Sequence, residues 1–84
     1  MLRQFERRDE AETEEAWDAC AERRIKAALE RHKVTYPELA RRMTDLGIPE
    51  TEASVAVRIA RGRYPAWWLF AALRALGVRV LLLD

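Results

Sequence analysis

A single cysteine, Cys20, leaves no partner for an internal disulfide, which points to a reducing compartment. The one histidine, His32, stands twelve positions further on. On one helix that is more than three turns away, so the two form no catalytic couple. No metal-ligand cluster, glycine-rich phosphate loop or nucleophile motif is present. The expectation is a protein that is not an enzyme and needs no cofactor or metal. No run approaches the roughly 20 apolar residues that cross a bilayer, and the N-terminus lacks the apolar stretch of a secretion signal. A cytoplasmic protein without a membrane partner is expected. Three glycines and three prolines allow few turns, and the Ala, Leu, Arg and Glu between them favour helices over strands.

What is present suits one small core. Half of the 84 residues are hydrophobic and 35% are charged, enough to fill one core and solvate its surface but not two. The net charge of +1 conceals an uneven layout. Residues 1–8 carry Arg3, Arg7 and Arg8 against Glu6. Residues 9–22 carry seven acids and no base, and residues 23–84 carry twelve bases against six acids. A basic domain thus follows an acidic segment, as neutralisation of a phosphate backbone requires; solubility alone also explains surface charge. The organisation read from this is a leader over 1–10 and one domain over 11–84.

Residues 11–32 contain neither Gly nor Pro, and Trp17, Cys20, Ala21, Ala28 and Leu29 recur at helical spacing. One helix is expected there, with Trp17 packing it onto the core. Thr35 is placed to cap a second helix, with Pro37 in its first turn and Glu38 three residues after the cap. Leu39, Ala40 and Met43 give it an inward face, and Gly47 with Pro49 ends it. Thr51 caps a third helix running to Arg61, where Val55 and Ile59 face inward and Gly62 stops the chain. Ser54, Val57 and Arg61 then fall on the outer face, with Arg58 on its flank. Pro65 opens a fourth helix, AWWLFAALRAL, ended by Gly77. Being apolar almost all round, it points to a subunit interface through Trp67, Trp68, Phe70 and Leu81. The last run, Val78 to Asp84, reads as a short strand or an extension over the fourth helix.

The pieces TYPELARRM and VRIARGRYPAWWLFAALRALGV resemble the Cro and phage-repressor-like helix-turn-helix family. Leu39–Ala40, Ile59, Arg61–Gly62, Pro65 and Leu76–Gly77–Val78 carry the match. Between Leu39–Ala40 and Arg61–Gly62 the chain is several residues longer than that family's usual motif, through the segment TDLGIPETE. A bacterial family of unknown function with the same TYxELA and RG pieces and the longer connection is the closer resemblance. Together they imply an all-α fold: a small helical bundle with a repressor-like helix-turn-helix.

The repressor-like resemblance implies a transcription regulator that binds double-stranded DNA as a homodimer. The helix over 52–61 would enter the major groove, with Ser54, Val57, Arg58 and Arg61 reaching bases or phosphates. Thr35 and Tyr36 would hold phosphate at a helix N-terminus, and Arg41, Arg42 and Arg63 would add backbone contacts. Arg61 and Arg63 also suit a helix C-terminus, whereas Ser54 and Arg58 show no structural role in the sequence. Glu50 and Glu52, at the start of the recognition helix, would repel phosphate. They favour the alternative, a protein-interaction module such as an adaptor, an antitoxin-like partner or an anti-repressor. The acidic leader folding over the basic face is a further expectation.

Overall fold

The computed structural model describes residues 13–81. They form four helices: α1 (Glu14–His32), α2 (Tyr36–Asp45), α3 (Glu52–Arg61) and α4 (Ala66–Leu76). The leader read over 1–10, the helix start expected at 11–12 and the last three residues lie outside the described residues.

Each helix begins and ends on a local device. Thr13, read from sequence as helix interior, instead caps α1 by accepting the amide of Ala16 at 3.0 Å. Thr35 caps α2 through the amide of Glu38 at 3.3 Å, and Pro37 fills the first turn. Thr51 and Ser54 form a reciprocal capping box at α3: each side-chain oxygen accepts the other's amide, at 3.1 and 2.9 Å. Pro65 precedes α4, which Gly77 terminates.

The α2–α3 connection, 46–51, is long but tied down. The Ile48 amide donates to the Met43 carbonyl at 2.9 Å, and the Glu50 amide donates to the Thr44 hydroxyl at 3.2 Å. The Ile48 side chain packs against the core. The extra length therefore buries apolar surface and satisfies its backbone groups instead of forming a loose loop.

Helices α1 and α2 each pack against both α3 and α4. Between them lie Ile25 and Leu29 of α1, Leu39 and Met43 of α2, Val55 and Ile59 of α3, and Trp68, Ala72 and Leu76 of α4. Trp68 is the largest fully buried side chain. It was expected at a subunit interface; a four-helix core of this size needs one bulky filler, and α4 supplies it. Trp17 departs in the opposite sense: expected in the core, it is 56% exposed. The buried residues of α1, Ile25, Ala28 and Leu29, lie in its C-terminal half, and Trp17 sits in the first turn, away from them along the axis.

No strand occurs among the described residues. Residues 78–81 have no second strand to pair with, and an isolated extended run leaves half its backbone groups unmatched. The Val78 amide instead donates to the Leu73 carbonyl at 2.9 Å, closing the end of α4.

Candidate nucleic-acid interface

The outer face of α3 follows from its buried one. Val55 and Ile59 are fully buried, which turns Ala53, Val57, Ala60 and Arg61 toward solvent. A shallow groove runs along this side, lined by Thr51, Ala53, Ser54, Val57, Arg58, Arg61 and Arg63. The side chains at its centre are short.

Two residues chosen from sequence for lack of a structural role prove to have one. The Ser54 hydroxyl accepts the Thr51 amide and donates to a Glu50 carboxylate oxygen at 2.6 Å, so it is engaged in the α3 cap. The Arg58 guanidinium lies over the Trp68 ring, 5.2 Å from its centroid, with its Nε 3.8 Å from the Glu50 carboxylate. Glu50 is the hub of this cluster. Its side chain is only 4% exposed and also accepts the Trp68 indole N–H at 2.9 Å. Expected to repel phosphate, it is withdrawn from the surface instead. Its charge is met by Arg58 and by two hydrogen-bond donors, as a buried carboxylate requires. Glu52 remains exposed at the start of α3. Beside the hub, the Tyr64 ring lies 4.9 Å from that of Trp68. Burial raises the Tyr64 pKa, and the Glu22 charge adds to the effect.

The other cations divide between paired and unpaired. Arg63 donates from Nε to Asp18 at 2.5 Å and from an Nη to Glu14 at 3.0 Å. The hydrogen bond to Asp18 is the main reason its pKa is raised. Arg41 bridges Glu38 and Asp45 at 2.6 and 2.8 Å. Arg42 binds Glu38 at 2.8 Å and donates to the Ala75 carbonyl at 3.0 Å, tying α2 to the last turn of α4. Glu38, gripped by Arg41 and then Arg42, has its pKa pushed down to about 2. Arg61, exposed at the end of α3, makes no such pair among the described residues.

Behind these side chains lies a close crossing of α1 and the α3 stop. Gly62 has φ +68°, and a Cβ there would overlap the Asp18 backbone carbonyl. The same approach places Asp18 beside Arg63.

The sequence-predicted set is thus only partly brought together. Ser54, Val57, Arg58, Arg61 and Arg63 share the α3 groove. Thr35 and the half-buried Tyr36 lie at the start of α2, and Arg41 and Arg42 follow on that helix. Of the residues proposed for an interface, Trp67 and Phe70 are strongly exposed, Leu81 is partly so, and Trp68 is unavailable. Sequence reasoning missed Asp18, Glu14 and Glu50 as partners of the arginines. Asp18 and Arg63 are 45 positions apart and share no local pattern.

Among the described residues no group of three or more His, Cys, Asp or Glu side chains is placed to hold a metal, and no helix is long and apolar enough to cross a membrane. The family model described as "Domain of unknown function (DUF6471)" matches residues 17–81, from the first turn of α1 to the last described residue. The chain belongs to this family. That agrees with the closer of the two resemblances, whose TYxELA and RG pieces lie inside the match. The repressor-like resemblance gains no support, since neither a curated protein nor a solved structure matches the chain.

Proposed function

We propose that this domain is a DNA-binding transcriptional regulator in which α3 enters the major groove. The observation that carries the reading is the exposed stripe of α3. Ala53, Val57 and Ala60 are small enough to let the helix approach base edges, and Val57 offers an apolar contact for a thymine methyl. Arg61 is the cation at the end of that stripe that no carboxylate claims among the described residues. A planar guanidinium there suits guanine or phosphate. The withdrawal of Glu50 removes one of two charges that would oppose this approach. Two copies would meet on adjacent half-sites of the duplex, forming the expected homodimer on DNA.

A second reading, a protein-interaction module without sequence readout, is favoured by a specific observation: Arg41, Arg42, Arg58 and Arg63 all face carboxylates within the chain. Retention of fragmented genomic DNA across a salt series separates the two. Discrete enriched sites and a steep salt slope are expected for the regulator. No retention at low salt, with a stable protein partner co-purifying, would decide for the module. Arg61→Ala is the cleanest variant, expected to weaken DNA binding roughly tenfold with unchanged stability. Arg58→Ala also strips the Glu50 hub, so its effect on DNA would be mixed with an effect on folding.

A further inference from the structure

The last turns of α1 and α4 and the segment after α4 carry surface that the α3 reading does not use. On α4, Trp67, Phe70 and Arg74 follow one another at i, i+3 and i+7 and are all exposed, Trp67 by 57% and Phe70 by 69%. Two grooves flank residues 78–81. One runs between α1 and this segment, lined by Ala27, Ala28, Val78 and Val80 together with Arg24, Arg31 and Arg79. The other lies against α4, between Phe70, Leu73 and Leu81, edged by Arg74 and Arg79. No carboxylate lines either groove among the described residues. Arg31, Arg74 and Arg79 pair with no acidic side chain among the described residues, unlike Arg41, Arg42, Arg58 and Arg63.

From this the geometry points to a protein-docking surface for an acidic amphipathic helix of a partner protein. Apolar side chains of that helix fill the grooves beside Phe70 and Leu81, and its carboxylates meet Arg31, Arg74 and Arg79. Two other occupants fit less well. A second copy seated through the same face would set Arg74 and Arg79 against their own kind, and like charges in an interface oppose association. A nucleic acid would cover Phe70, Val80 and Leu81 without a complementary apolar surface. The surface is independent of the α3 reading and stands whether or not α3 binds DNA.

Fluorescence anisotropy tests it with a designed peptide of roughly 18 residues, helical, with leucines on one face and glutamates flanking them. A twin has lysine in place of every glutamate. The intact chain is expected to bind the glutamate peptide at least roughly tenfold more tightly than the lysine twin. Phe70→Ser is expected to weaken the glutamate complex by a similar factor. The double variant Arg74→Glu with Arg79→Glu is expected to reverse the preference, and gained binding of the lysine twin shows that it still folds. Equal binding of the two peptides, or none, overturns the proposal. So does a dimer in sedimentation velocity that Phe70→Ser dissociates, which would make a second copy the occupant. Loss of duplex binding in the double variant as large as in Arg61→Ala would assign the surface to DNA and overturn it as well.

Discussion

The groove along α3 and the groove between α4 and residues 78–81 are both lined with arginines. Two of the three along α3 are matched by carboxylates, Arg61 being the exception, whereas neither of the two beside residues 78–81 is matched among the described residues. Along α3, Arg58 is drawn toward Glu50 and Trp68, and Arg63 is clasped by Asp18 and Glu14. Beside residues 78–81, Arg74 and Arg79 meet no carboxylate among the described residues and border exposed apolar side chains. A basic stretch of sequence therefore does not show where positive charge is free to act. Charge already matched inside a fold helps to hold it, whereas unmatched charge is available to a partner.

The largest expected effect tests what keeps the α3 groove in place. Gly62→Ala would force a Cβ into the Asp18 carbonyl at a left-handed backbone position. A loss of about 3 kcal/mol in urea unfolding is expected, a large part of a small domain's stability. A loss under about 1 kcal/mol would mean that α1 and the α3 stop are not in close contact.

Next come the two glutamates at the start of α3. Glu50→Ala would leave the Trp68 indole N–H without its acceptor and Arg58 without its carboxylate. A cost of about 2 kcal/mol follows from stranding these donors in a part-buried site. Glu52→Ala, on an exposed side chain, should stay within about 0.5 kcal/mol. Equal costs would remove the distinction between a structural and a surface carboxylate.

A smaller effect tests whether matched charge is really withheld. Asp18→Asn removes the main partner of Arg63. If α3 binds DNA, duplex affinity should rise roughly threefold at low salt, because one of the two negative charges competing with phosphate for Arg63 is removed. Unchanged affinity would place Arg63 outside the DNA contact.

The smallest effect concerns pH. Glu38 is held at a pKa of about 2 against an ordinary 4.5, so its ionised form is favoured by folding. Its contribution is fully present above about pH 4.5 and is lost as pH falls through about 2. Glu38→Gln should narrow the stability difference between pH 5 and pH 2, measured by thermal unfolding. An identical pH profile would show the Arg41 and Arg42 contacts to be energetically silent.

Much of the helical frame was legible locally. Thr35, Thr51, Gly62, Pro65 and Gly77 mark starts and stops through interactions spanning one turn, and Leu39, Met43, Val55 and Ile59 mark inward faces by their spacing. The candidate site was less legible. Ser54 and Arg58 looked free because their engagements run through Glu50, and Arg58 also depends on Trp68, ten positions away. The spacing within AWWLFAALRAL did not tell Trp68 from Trp67, since a helix apolar on nearly every side carries no pattern that selects its buried face.

Four helices, most of their caps and most of their inward residues could be read from the chain alone, Thr13 being the cap that was missed, because hydrogen bonds within a turn and 3.6-residue periodicity are local. Arg41 and Arg42 find Glu38 and Asp45 within α2, but only packing of the tertiary structure decided the matching of Arg58 and Arg63. Asp18 reaches Arg63, and Glu50 reaches Trp68, only after α1, α3 and α4 have packed. Pairing energy depends on distance in space and on burial, and separation along the chain encodes neither.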